Sequence, residues 1–190
     1  MKRQLILAAG LTALAACNKG PDIHATNASV GQVVNAAQEA GAGSGVTMRP
    51  GRWELKTTID DMATPGVPAA AQARMKAMMG QGRTATMCMT PEDVKRPGGK
   101  VLTGQESPDC TFEHYDMAGG KLDASMRCDF KGLSTRTTIN GTFAPDSFTN
   151  HVTSQMTGAG GKRTMKMTME GRRVGDCTGD ELNAKDKAGK

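Results

Sequence analysis

Between residues 53 and 174 apolar and polar positions alternate in runs bounded by Gly, Pro and Asp, and a period of two argues for strands. The runs fall at residues 53–59, 84–89, 110–117, 121–130, 133–143, 147–157 and 162–174. Two short helices interrupt the early part. Pro68 opens one where proline is tolerated, and Gly80 closes it. Thr90-Pro91-Glu92-Asp93 opens the other with a capping hydroxyl, a first-turn proline and acids at the positive end of the dipole. The expected fold is mainly β: a curved antiparallel meander sheet, open or barrel-like, with one or two short helices.

Register can be read from the turns, because a one-residue slip sends every side chain to the other face. A three-residue loop at Ala118, Gly119 and Gly120 sets Cys110 opposite Cys128 and Phe112 opposite Met126. Lys131-Gly132 sets Phe130 against Leu133, and the turn through Pro145 and Asp146 sets Phe143 against Phe148. Gly158-Ala159-Gly160-Gly161 carries the face of Met156 onto Met165, Met167 and Met169. One apolar face results. It also holds Leu122, Ala124, Met126, Ile139 and Val152, while Asp123, Ser125, Arg127, Asp129, Lys166 and Thr168 occupy the other, wet face. Thr135, Thr137, Asn150 and Ser154 interrupt the apolar face, and cross-strand hydroxyl pairing is the role the pattern suggests for them.

The chain begins differently. Lys2 and Arg3 form a positive tip, and residues 5–14 carry no charge. A helix of that length reaches about 15 Å, half a bilayer core, which excludes a span and fits a signal-peptide hydrophobic region. Leu14-Ala15-Ala16-Cys17 resembles the lipobox of bacterial lipoproteins, whose cysteine is acylated and becomes the mature N-terminus. Several acyl chains together anchor firmly, each buried methylene contributing about 0.8 kcal/mol. By the same resemblance, Asn18 after the cysteine directs the protein to the outer membrane of a Gram-negative envelope, facing the periplasm.

The expected organisation is a signal peptide at 1–16, a flexible tether with a short helix at 17–48, a β-rich domain at 49–178 and a disordered tail at 179–190. The helix is expected where Val30, Val33, Val34, Ala37 and Ala40 fall at helical spacing before Gly41. Removing the leader takes away Lys2 and Arg3 and no acid, so the formal charge of +5 falls to +3. No long basic cluster remains, and no nucleic-acid partner is expected.

With Cys17 acylated, Cys88, Cys110, Cys128 and Cys177 remain, an even number suited to an oxidising compartment. Three pairings are open to them; the register favours Cys110 with Cys128, leaving Cys88 with Cys177. The chain has 14 methionines but only 1 Trp, 1 Tyr and 4 Phe, so methionine must fill the core. "MCM" at 87–89 and "MKMTM" at 165–169 raise Cu(I) handling as a lesser alternative, since thioethers suit that ion. Alternation buries Met165, Met167 and Met169 on one strand face anyway, so no metal or cofactor is expected. His24, His114 and His151 are scattered, without a nucleophile beside them, and no catalytic residue is assigned.

"RPGRWELKTTID" at 49–60, "TMCMTPEDV" at 86–94, "DCTFEHYDMAGGKL" at 109–122 and "GRRVGDC" at 171–177 occur in an order that resembles domain of unknown function 3617, a family of secreted proteins and lipoproteins of Gram-negative bacteria. The matching positions are Pro50, Gly51, Trp53 and Glu54, then Cys88, Thr90, Pro91 and Glu92. The resemblance implies no activity and no catalytic residue. The expected function is a non-enzymatic, lipid-anchored module that binds a hydrophobic ligand or an envelope partner through Phe143, Phe148, Met156, Met165, Met167 and Met169. A structural lipoprotein that maintains the envelope without a ligand is the alternative.

Overall fold

The computed structural model describes residues 22–39, 48–79, 82–94 and 109–181. Its elements are β1 (Ile23–Ser29), α1 (Val30–Glu39), β2 (Gly51–Ala63), α2 (Ala69–Met79), β3 (Arg83–Met89), α3 (Pro91–Val94), β4 (Cys110–Ala118), β5 (Lys121–Phe130), β6 (Leu133–Ala144), β7 (Ser147–Gly158) and β8 (Gly161–Gly175). All strands join one antiparallel sheet in the order β1-β4-β5-β6-β7-β8-β2-β3. The sheet does not close, which settles the open form against the barrel.

Turn chemistry explains the meander. Gly119-Gly120 and Lys131-Gly132 each place both central residues at positive φ, the twist that suits two-residue hairpins. Cys110 faces Cys128, Phe112 faces Met126, Phe130 faces Leu133 and Phe143 faces Phe148, as the sequence pattern requires. Disulfides join Cys110 to Cys128 and Cys88 to Cys177.

One turn is reached by a different route. The expected three-residue loop at 118–120 is a two-residue turn, with Ala118 opposite Lys121, and the register is restored by a bulge between Phe112 and His114. A bulge adds one residue and flips the faces beyond it. Tyr115 and Met117 therefore point into the core at 2% and 4% exposure, and His114 and Asp116 turn to the polar face. Strict alternation from Cys110 and Phe112 implies the reverse.

The tether expectation fails for residues 23–39. β1 pairs with β4 along the sheet edge, Ile23 opposite Met117 and Ser29 opposite Thr111. Ser29 then caps α1: its hydroxyl accepts the Gln32 N–H at 3.2 Å, and the Gln32 side chain accepts the Ser29 N–H at 2.8 Å. Val30 and Val33 of α1 are buried at 4% and 3%. The short helix expected within the tether is thus present and packed. Residues 182–190 of the expected tail, the leader with Cys17, and Gly80 lie outside the described residues. Residues 178–181 form a turn in which the Glu181 carboxylate accepts the Thr178 and Gly179 N–H groups at 2.8 and 2.9 Å.

Candidate functional site

Two buried clusters divide the apolar face. The first lies under α1 and gathers Ile23, Val30, Val33, Phe112, Tyr115, Met117, Leu122, Ala124 and Ile139, with Phe112 and Tyr115 edge to face at 5.3 Å. The second centres on Trp53, Met89 and Phe148, with Met48, Val94 and Met169 packed around it. Trp53 stacks on Phe148 at 6.0 Å, and Phe148 on Phe143 at 5.7 Å. Gly171 stands opposite Phe148 because a Cβ there would fall inside the ring.

The residues that carry the family resemblance build this second cluster. Arg49 clamps the turn between β6 and β7: its N–H donates to the Pro145 carbonyl at 2.8 Å, and its guanidinium pairs with Asp146. That contact holds the Asp146 carboxyl below its ordinary range. The Pro50 carbonyl accepts Arg173 Nε–H at 2.8 Å, and the Arg49 carbonyl accepts the Trp53 indole N–H at 3.0 Å. Gly51 sits at φ 141° against Arg173, with no room for a Cβ. Thr90 and Asp93 cap α3 reciprocally, the Thr90 N–H donating at 3.0 Å and the Asp93 N–H at 3.2 Å. These contacts are framework. None presents a free nucleophile or a poised acid.

The expected ligand residues separate into two groups. Phe148 is only 3% exposed, and Phe143 and Met169 pack against the Trp53 cluster. Met156, Met165 and Met167 belong to neither cluster and remain half-buried. Cross-strand pairing sets Met167 between Val152 and Ile59, and Met165 between Ser154 and Met62. A bulge at Asp60 keeps both Ile59 and Met62 on this face. Thr137 and Ser154 hydroxyls lie 3.5 Å apart, which accounts for two of the polar interruptions. Phe130 and Leu133 share the parity of the apolar face but not its burial, at 55% and 44% exposure, and so form an apolar rim beyond Met156. Beside this open quadrant α2 packs mainly on β2, and none of its residues is buried. Met75 and Met78 on it are 41% and 83% exposed.

Two polar side chains lie buried on the apolar face, and one of them, Asn150, stands opposite Gly141 and Met169 and not the hydroxyl partner the sequence pattern suggests. The Tyr115 hydroxyl lies in the closed half, where burial pushes it up to about 12. Asn150 is 0% exposed. Neither has a hydrogen-bond partner for these side-chain atoms among the described residues.

All three histidines lie on the opposite, polar face. His24 Nδ1 is 2.6 Å from Asp116 Oδ1, His114 Nε2 is 2.7 Å from Asp123 Oδ1, and His151 Nδ1 is 3.1 Å from Thr168 Oγ1. A shallow depression of about 490 Å³ lies here, lined in part by Asp116, Lys121, Asp123, Asn140 and His151. Glu113, the bulge residue, is held below the ordinary carboxylate range by the Ser125 hydroxyl and by Arg136. Among the described residues no group of three His, Cys, Asp or Glu side chains is gathered as metal ligands would be. Cys88 of the "MCM" run is committed to its disulfide and offers no thiolate.

Fold and face together define a class: an open antiparallel sheet with one apolar face, partly sealed by a helix. The chain belongs to the family described as "Protein of unknown function (DUF3617)", whose model matches residues 48–177. No curated protein and no solved structure matched the chain.

Proposed function

We propose that this protein is a lipid-anchored, non-enzymatic binding module of the Gram-negative periplasm, tethered to the outer membrane through acylated Cys17 and holding a hydrophobic ligand on the open quadrant of its sheet. The observation that carries the reading is the half-buried strip of Met62, Met156, Met165 and Met167, which α1 does not reach. Methionine side chains repack around different shapes, and an apolar surface left open on one side of a rigid sheet is where such a ligand gains most from burial. The two disulfides support the oxidising compartment. The start of β1 at Ile23 shortens the leash: six residues from Cys17 span at most about 20 Å. The domain is therefore held against the bilayer surface, where hydrophobic ligands are supplied.

Two experiments test the reading. Cys17→Ser should move the protein from the membrane to the soluble fraction, and its continued tight retention overturns the anchor. The soluble Cys17→Ser chain should bind a fluorescent acyl probe saturably at about one per chain. Met167→Asp, which places a charge in the strip, should weaken that binding at least tenfold while the fold survives. A chain that binds no probe leaves the ligand-free structural role as the better reading.

A further inference from the structure

The open strip ends on a charge that nothing beside it balances. Register sets Arg163 opposite Met156 near the start of β8, and alternation along β8 puts it on the face of Met165 and Met167. Arg163 is exposed, and a Cβ on Gly160 in the turn between β7 and β8 would come 3.2 Å from its Nη2. Its guanidinium has no ion-pair or hydrogen-bond partner among the described residues. The charged residues among the described strand positions of this face are Arg83, Arg163 and Arg173, and none is a carboxylate. Arg173 is taken up by the Pro50 carbonyl and by Asp176, at 2.8 and 2.6 Å. Arg83 stands on edge strand β3 in the row of Met169, about 20 Å along the sheet from Arg163 at about 3.3 Å per residue. Beside the strip α2 adds Arg74 and Lys76 and no acid. Asp129, at the same end of the sheet, is engaged by Arg127 at 2.8 Å.

We propose that Arg163 receives the head group of the ligand on the methionine strip, and that this ligand is an ionised fatty acid. The inference rests on the hydrophobic-ligand reading above and adds the charge of the head group and the end of the strip at which it lies. A guanidinium offers parallel N–H donors that match the two oxygens of a carboxylate, and it stays charged across the accessible pH range. One unpaired guanidinium balances one negative charge. A phosphate monoester carries about two and would bring an unbalanced one to an apolar face. The head group needs no enclosed cavity, because Arg163 is exposed and the carboxylate keeps its outer side in water. The aliphatic stem of an arginine covers apolar surface while its head stays wet, so this one side chain borders both parts of the ligand. The tail runs away from the rim, from Met156 past Met165 and Met62 to Met167 and Ile59, all half-buried on the strands of the open quadrant. It stops at the packed Trp53 cluster, which Met169 joins.

The test uses the full chain carrying Cys17→Ser, so that its own acyl groups are absent. Below the micellar concentration it is titrated with a fluorescent fatty acid at about pH 8, where the acid is ionised. The alcohol and the amine of the same chain and fluorophore are titrated beside it. The acid should bind about fivefold tighter than the alcohol, the scale of one exposed ion pair, and the difference should shrink as salt is raised. Arg163→Gln should abolish that preference while leaving the alcohol within about twofold, and Arg163→Glu should invert it so that the amine binds tightest. Arg83→Gln, on the same face but away from the rim, should leave the preference for the acid as it was. The Arg163 guanidinium holds no other described residue, so its variants should melt within a few degrees of the parent chain. Equal affinity for acid and alcohol before any change at Arg163, or a preference that persists in Arg163→Gln, overturns the head-group assignment and leaves the hydrophobic-ligand reading standing. Saturable binding of no probe overturns both, and retention of that chain on anionic phospholipid vesicles would then assign the face to a bilayer surface.

Discussion

The two halves of the apolar face are built on the same alternation and end in opposite states. Under α1, Phe112, Tyr115 and Ile139 are 2–4% exposed and pack as a core. Across the same sheet, Met156, Met165 and Met167 stay half-buried among Thr135, Thr137 and Ser154. The closed half uses aromatic and β-branched side chains, whose few rotamers favour one fixed packing. The open half uses methionine and small hydroxyl residues, which tolerate many. Periodicity decides which face a residue is on. A second element decides whether that face becomes a core or a surface.

The sharpest way to break this comparison is to truncate one residue from each state. Trp53→Ala, at 0% exposure, should cost about 3–5 kcal/mol by denaturant unfolding, whereas Met165→Ala should cost less than about 1 kcal/mol. Similar losses at both sites would mean that the quadrant is packed. Next in size is the staple of β4 to β5. Replacing Cys110 and Cys128 together by serine opens a loop with a sequence separation of 18 and should cost about 3 kcal/mol in the chain-entropy account. Hydrogen exchange should then rise in β4 and β5 before β8.

The α1 cap sharpens the comparison on a finer scale. Ser29→Ala removes the hydroxyl that holds the Gln32 N–H and should cost about 1 kcal/mol. Amide exchange should quicken around Tyr115 while the β8 methionines keep their rates. The smallest effect is that of pH. The Thr178 N–H, foremost among the groups around it, holds the Glu181 carboxyl down to about 2, below its ordinary value near 4.5. A depressed carboxylate stabilises above its unfolded pKa, so this contribution is complete above about pH 5 and is lost as pH falls toward about 2. Glu181→Gln should flatten the acid limb of a melting-temperature profile in that window. The C-terminal turn should loosen first, leaving the methionine strip unchanged.

Most of the sheet was legible in the sequence because its turns are written in residues with few alternatives. Lys131-Gly132 and Gly119-Gly120 dictate positive φ, and Pro145-Asp146 dictates a tight reversal. Cys110 with Cys128 was read from the register of a three-residue loop, which the two-residue turn and the bulge together reproduce, and Cys88 with Cys177 was left by elimination. The bulge at Glu113 did not, because a parity argument assumes an unbroken period and the second glycine of a two-residue turn looks like the end of a longer loop. β1 was missed because Ile23-His24-Ala25-Thr26 is short and lacks aromatics, and a strand's edge pairing leaves little trace in its own sequence. The capping box Ser29-Val30-Gly31-Gln32 was the available signal that an ordered helix follows. Of the candidate site, Met156, Met165 and Met167 were legible as one face. That Phe143, Phe148 and Met169 are spent on packing, and that Asn150 lacks a partner, depends on which residues lie across the sheet at each row and how tightly they pack.

Methyl resonances of the methionines measure the central claim directly. The Cys17→Ser chain, labelled at methionine methyls, is titrated with a single-chain acyl probe below its micellar concentration. Met62, Met156, Met165 and Met167 should shift saturably and together, while Met89 and Met117, each 4% exposed, should stay in place. Shifts spread evenly over all methionines, or none at all at saturating lipid, would contradict an open half that binds beside a closed half that does not.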